Sequence, residues 1–272
     1  MATAILDKEN AMKYGFIGCG NMGGAIAKAL SQKTKEIMIT DRSGKAKVLA
    51  EELFCTYTDP ITVAASCERI FLAVKPQMMQ DALAPLKVYL QEHKPLLITM
   101  AAGLQITKIQ ELVGCELPVI RIMPNTPVQV GKGMTLYCYN DLVDKATLED
   151  FLNDMAFTGI MDAIPEHLID SAGVVSGCGP AYMYMFAEAL ADGAVACGVP
   201  RAKALEYAAA TLIGAGEILL QTGEHPGKLK DNVCSPGGST IAGVNVLEQR
   251  AFRGAVMDCV KAAYKRNQEL GK

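Results

Sequence analysis

Tyr14-Gly15-Phe16-Ile17-Gly18-Cys19-Gly20-Asn21-Met22-Gly23-Gly24-Ala25-Ile26-Ala27 determines how the rest of the chain is read. A short apolar run feeds a Gly-x-Gly-x-x-Gly turn, and helix-forming residues continue to Leu30, so the turn joins a buried strand to a helix. In that order each glycine has its own task. Gly18 permits the tight turn, Gly20 lets a pyrophosphate approach the backbone, and Gly23 lets the helix pack against the strand. The helix start, with Cys19, Asn21 and Met22 in the same turn, offers N–H groups and the positive end of a dipole to phosphate. Glycines at this spacing also occur in ordinary loops, so the next strand matters. Glu36-Ile37-Met38-Ile39-Thr40-Asp41 ends on an acid about 20 residues further on, where a dinucleotide site wants one.

The residues around that acid leave open which dinucleotide binds. The Asp41 carboxylate would accept hydrogen bonds from ribose hydroxyls, as NADH requires. Arg42 and Ser43, with Lys45 and Lys47 behind them, would hold a 2′-phosphate, as NADPH requires. The two lysines read equally well as a solvated helix face.

The next segments repeat the design. Arg69-Ile70-Phe71-Leu72-Ala73-Val74-Lys75-Pro76 is a buried strand broken by Lys75 and Pro76 at its carboxyl end, where ligands gather in open parallel sheets. Lys75 there either faces the cofactor or simply leaves the core. Leu96 to Met100 is another strand, followed by Ala101-Ala102-Gly103, whose small side chains leave room for a flat ring or a ribose. Pro118 to Met123 is closed by Pro124-Asn125-Thr126-Pro127, a turn cluster that puts Asn125 at the same edge. Strands at Gly133–Tyr139 and Gly159–Ile164 flank a helix from Asp144 to Met155. This alternation predicts an α/β, Rossmann-type doubly wound domain over residues 12–165.

Composition narrows the function classes. The chain has 272 residues, half of them hydrophobic, enough for two domains with substantial cores. A formal charge of −3 gives no basic footprint for nucleic acid. Nine cysteines stand singly, and His93, His167 and His225 are the only histidines, so neither a metal centre nor a disulfide framework is expected. Reduced thiols fit the cytoplasm. Residues 1–11 form a polar N-terminal extension with no signal-peptide core. The longest apolar region, Gly173 to Val199, carries Glu188, Asp192 and several glycines, which favours a buried helix over a membrane span.

After Glu166 the strand signals stop, and residues 166–272 read as an all-α domain. Helices are expected at Ala181–Cys197, Arg201–Gln221 and Thr240–Gln268, rich in alanine, leucine and methionine on more than one face. Such helices need cover on several sides, either from intertwined dimerisation or from the first domain. A loop from His225 to Thr240 ends in Ser235-Pro236-Gly237-Gly238-Ser239-Thr240. Its open N–H groups and hydroxyls at a helix start suit a carboxylate, although an ordinary helix cap has the same appearance.

These residues together resemble the pyrroline-5-carboxylate reductases. The likeness runs from Met12 to about Leu270. It rests on the Gly-Phe-Ile-Gly-x-Gly-Asn-Met start, Ala73-Val74-Lys75-Pro76, Arg121 to Pro127, Ser176 to Tyr182, Glu188 to Gly193 and Leu229 to Ile241, the last being the most specific. The resemblance implies NADPH or NADH as cofactor and reduction of a five-membered cyclic imine carboxylate, 1-pyrroline-5-carboxylate, to L-proline. It implies homodimers formed through the C-terminal helices and gathered into decamers. It assigns substrate contacts to Ser239 and Thr240, with Glu166 and Ser235, Gly237 and Gly238 close by, and a cofactor contact to Asn232. Thr240 is the catalytic candidate, its hydroxyl set to hydrogen-bond the ring nitrogen. The chain departs from the family pattern at Cys178, at Pro60 and in the mixed Asp41-Arg42 pair, departures that bear on cofactor preference.

Overall fold

The structure, a computed structural model, describes residues 12–270; the expected N-terminal extension lies outside the described residues. In chain order the elements are β1 (Met12–Ile17), α1 (Asn21–Leu30), β2 (Ile37–Thr40), α2 (Lys45–Leu53), β3 (Thr56–Tyr57), α3 (Pro60–Ser66) and β4 (Cys67–Leu72). There follow α4 (Met79–Leu83), α5 (Lys87–His93), β5 (Leu96–Thr99), α6 (Ile106–Val113), β6 (Val119–Met123), β7 (Gly133–Tyr139), α7 (Lys145–Met155) and β8 (Gly159–Ala163). Five helices complete the chain: α8 (Glu166–Ala196), α9 (Arg201–Thr222), α10 (Pro226–Val233), α11 (Ser239–Gln249) and α12 (Phe252–Leu270).

The strands form one sheet in the order β3-β2-β1-β4-β5-β6-β7-β8. From β3 to β6 neighbouring strands are parallel, β7 runs antiparallel to β6, and β8 is parallel to β7. The first six strands thus have the 3-2-1-4-5-6 order of doubly wound dinucleotide folds, with its topological switch between β1 and β4. Strands buried on both faces read as continuous apolar runs, and here Phe16, Ile39, Phe71, Ile98 and Ile120 fill one side while Ile17, Ile70, Leu72, Leu97 and Val119 fill the other. Phe16 stacks on Phe71 across the switch, with ring centroids 4.5 Å apart.

The chain divides into two compact units. One comprises the sheet with its helices through Cys178 and returns from Tyr264 onward; the other is Gly179–Ala263. The boundary falls inside α8, where the sequence expectation put the end of the sheet domain at residue 165.

Three sequence expectations in the helical half need correction. The helix expected at Ala181 begins at Glu166 and passes straight through Pro180. Proline has no N–H for the carbonyl four residues back, which is that of Ser176. Asn125 Nδ2 donates to that carbonyl instead, at 3.0 Å, so a residue 51 positions away fills the gap. The expected loop from His225 contains α10, capped at its start by His225 Nδ1, which accepts from the Gly227 N–H at 3.1 Å. The helix expected from Thr240 to Gln268 is two helices. It breaks at Arg250 and Ala251, the latter at φ +55°, a left-handed conformation that stops an α-helix.

Candidate active site

At the carboxyl edge of the sheet the glycines of the first turn can be tested one by one. Gly18 has φ +89°, and a Cβ there would lie 2.8 Å from the Ala73 carbonyl oxygen. A Cβ on Gly23 would meet the Gly18 carbonyl oxygen at 2.7 Å and the Ala73 Cβ at 2.8 Å, so α1 packs on the turn only because Gly23 has none. Gly20 differs: nothing lies within 4 Å of where its Cβ would be. It is also the N-cap of α1 and makes no side-chain cap hydrogen bond, so the helix start is open to an anion.

Backbone bonds hold the neighbouring segments to this turn. The Gly18 N–H donates to the Thr40 carbonyl at 3.0 Å, and the Ala73 N–H to the Ile17 carbonyl at 2.9 Å. Gly18 to Gly23, Asp41, Ala73 and Val74, and Ala101 and Ala102 therefore follow the ends of four adjacent strands, β2, β1, β4 and β5. Asn21 and Lys75 are exposed, and Lys75 stands at the N-cap position of the 3-10 turn Pro76–Met78 with no side-chain cap bond. Cys19 is buried, which pushes its thiol up to about 12; it enters the turn as backbone and packing, with no thiolate at neutral pH.

The acid after β2 is already engaged. The Ser43 hydroxyl donates to Asp41 Oδ2, while Oδ1 is buried with no hydrogen-bond partner. Burial alone would raise the Asp41 pKa, but hydrogen bonds from Ser43 and from backbone N–H groups of the loop outweigh it and hold the carboxyl below its ordinary range. Arg42 and Ser43 are exposed beside it. A fixed carboxylate with one unpartnered oxygen fits the polar end of an adenosine-bearing ligand, and the open α1 start fits its pyrophosphate.

Two expected contact residues have other partners. Asn125 is buried, bonded through Nδ2 to Ser176 and through Oδ1 to the Met134 N–H at 2.9 Å. Glu166 Oε1 accepts from the Ile106 N–H at 2.7 Å, the first residue of α6, and lies 3.5 Å from Arg121 Nη1. Sequence reasoning missed Asp170, whose Oδ1 lies 2.6 Å from Arg121 Nη2 and accepts from the Gly103 N–H at 3.1 Å. An arginine in the middle of the apolar strand Val119-Ile120-Arg121-Ile122-Met123 was the available signal, since such a group requires buried counter-charges.

The second unit holds the remaining candidates. Asn232 is exposed on the last turn of α10, and Ser235, Gly237, Ser239 and Thr240 are exposed around the start of α11. Gly237 has φ +68°, a conformation that favours glycine, and Gly238 leaves room for Ser235 Oγ, which a Cβ there would displace. Gly238 is the N-cap of α11 with no side-chain cap hydrogen bond, which leaves the Ser239 and Thr240 side chains on the first turn of a helix open at its positive end. The structure thus gathers the nucleotide-edge residues and Glu166 in one unit, and Asn232 with Ser235 to Thr240 in the other.

Comparison with known proteins decides the family. Over 268 residues, 96% of this chain and 99% of the relative, the sequence is 40% identical to a pyrroline-5-carboxylate reductase of Synechocystis. The chain belongs to the pyrroline-5-carboxylate reductase family. The Escherichia coli member is 39% identical over 96% of this chain and 98% of its own length. The family model described as pyrroline-5-carboxylate reductase dimerisation matches residues 166–270, and one described as NADP oxidoreductase, coenzyme F420-dependent, matches residues 13–103. Among solved structures, a Plasmodium falciparum pyrroline carboxylate reductase with NADP bound is 34% identical, with TM-score 0.86 over 96% of this chain and all of that one. A Streptococcus pyogenes 1-pyrroline-5-carboxylate reductase is 33% identical, with TM-score 0.87 over 96% of this chain and 99% of that one.

Proposed function

We propose that this protein reduces 1-pyrroline-5-carboxylate to L-proline at the expense of NADPH or NADH, the last step of proline biosynthesis. The observation that carries the reading is the near full-length 40% identity to a pyrroline-5-carboxylate reductase, which spans both the nucleotide turn and the Ser235 to Thr240 helix start. When bound, the reduced nicotinamide supplies a hydride to the imine carbon.

The chain's own residues have three tasks. Gly18, Cys19, Gly20, Asn21, Met22 and Gly23 bind the pyrophosphate through the α1 start, while Asp41, Arg42 and Ser43 meet the adenosine ribose or its phosphate. Ala73, Val74, Lys75 and Pro76, Ala101 and Ala102, Asn125 and Asn232 shape the rest of the cofactor site, and Glu166, which also bonds the Ile106 N–H, belongs with the substrate contacts. Ser235, Gly237, Gly238, Ser239 and Thr240 hold the substrate carboxylate on the N–H groups of α11, and the Thr240 hydroxyl steadies the proton on the ring nitrogen. A protonated imine is already electrophilic, so little acid strength is needed. Residues 12–165 are the dinucleotide-binding domain and 166–272 the substrate and dimerisation domain.

We further propose a cytoplasmic homodimer, five of which form a decamer. Among the described residues no helix is long and apolar enough to cross a membrane, and no cluster of side chains could hold a metal ion. The test is direct: purified protein is given 1-pyrroline-5-carboxylate with NADPH and, separately, NADH. Cofactor oxidation matched by L-proline supports the reading, and no oxidation with either overturns it.

A further inference from the structure

Arg121 is the largest fully buried side chain among the described residues. Its Nε and Nη1 are buried without a hydrogen-bond partner. An unsatisfied buried guanidinium is costly, and an apolar residue of similar length would avoid the cost, so packing gives no reason for an arginine. Its surroundings give one. Asp170 and Glu166 lie four residues apart on one face of α8, and Arg121 pairs with both, at 2.6 and 3.5 Å.

Each carboxylate has a second bond, and both reach the same loop. Asp170 Oδ1 accepts from the Gly103 N–H at 3.1 Å, where the chain turns at φ +75°. Glu166 Oε1 accepts from the Ile106 N–H at 2.7 Å, taking the place of a cap that Gln105 does not provide. Asn267 Nδ2 on α12 adds a long contact to Asp170 at 3.5 Å. Residues 101–106 are thus pinned at two points by carboxylates that share one guanidinium, Asp170 hydrogen-bonded to its Nη2 and Glu166 within ion-pair reach of its Nη1. A guanidinium presents its donors in a rigid plane, a fork that suits two carboxylates at a set spacing, whereas an ammonium is a point charge on a flexible stem.

We propose that Arg121 is a positioning residue for the reaction: through Asp170 and Glu166 it fixes the Ala101–Ile106 loop at the cofactor edge. This rests on the reading of that edge given above. Arg121→Lys keeps the charge and should fold, but loses the fork. Hydrogen exchange in the variant should quicken at residues 101–106 and stay unchanged over residues 12–30, and binding of ADP-ribose, which lacks the nicotinamide, should stay within about twofold. Turnover should fall about 10- to 100-fold at saturating substrate, the scale of a small misplacement of reacting groups. Unchanged protection of residues 101–106, or an equal loss of protection over residues 12–30 and of ADP-ribose affinity, would overturn the proposal. Exchange and ADP-ribose binding need no catalysis, so an inactive wild type would count against the proposed reaction and leave this test standing.

Discussion

Thr240 shows how much of the chemistry rests on single atoms. It lies exposed on the first turn of α11, beside Ser239 and behind an N-cap that offers no side chain. If its hydroxyl steadies the ring-nitrogen proton, Thr240→Ala lowers turnover roughly 10- to 1000-fold, the range for one lost positioned hydrogen bond, while Thr240→Ser retains most of the rate. Steady-state kinetics of the two variants check this; an alanine variant as fast as wild type removes Thr240 from the mechanism. At this scale the sequence was most legible where a residue's task is backbone geometry. Gly18 and Gly23 could be read from spacing together with the strand and helix on either side, because a turn is a local object. The engagement of Asn125 with Ser176 and of Arg121 with Asp170 was not legible, since the partners lie 51 and 49 positions away.

Among the elements, α7 is tied to the amino ends of β1 and β4 by a charge cluster around the buried Asp154 and Arg69. Asp154 accepts from the Tyr14 hydroxyl and pairs with Lys13 at 2.7 Å, Lys33 at 2.8 Å and Arg69 at 3.2 Å, while Asp150 pairs with Arg69 from the next turn. Burial favours the neutral acid, but bonds from Lys13, Lys33 and Tyr14 prevail and hold the Asp154 pKa at about 2, below an ordinary 3.8. A folded-state value below the unfolded one stabilises the fold above about pH 4 and is lost as pH falls toward 2, a contribution of roughly 2 kcal/mol. Asp154→Asn is therefore expected to cost about 3 kcal/mol at pH 7, because cations lose their counter-charge, and much less at pH 2.5. Denaturant unfolding at the two pH values measures the difference, and an equal cost at both would refute the assignment. Sequence patterns located β1, β4 and α7 themselves, but helix ends in the second half obeyed distant influences. Proline reads as a breaker, yet α8 continues through Pro180 because Asn125 supplies the missing donor, and nothing in the run from Thr240 to Gln268 announces the left-handed turn at Ala251.

For the whole molecule, the two compact units differ in how completely they bury their apolar residues. The sheet unit contains two extensive clusters, one on each face. In Gly179–Ala263 the buried hydrophobic cluster consists of Ala191, Ala204 and Ala208, while Met185, Ile213 and Leu220 remain mostly exposed. A groove of about 360 Å³ in the same unit is lined by Met183, Phe186, Leu212, Phe252 and Val256. Three alanines cannot stabilise a unit of this size, so a second copy is the cover that fits both the exposed surface and the family's dimerisation segment. Sedimentation should accordingly show no monomer-sized species at micromolar concentration, and the melting temperature should fall on dilution; a stable, folded monomer would contradict the proposed dimer. The excess of apolar residues was visible in the sequence, but which surface remains uncovered depends on how the helices pack and required the structure. Hydride delivery to a cyclic imine is read out by isotope transfer. Protein supplied with 1-pyrroline-5-carboxylate and NADPH or NADH deuterated at the transferring position should yield proline with one deuterium on the ring carbon that adjoins nitrogen and bears no carboxylate. Proline without the label, or no proline with either cofactor, would contradict it.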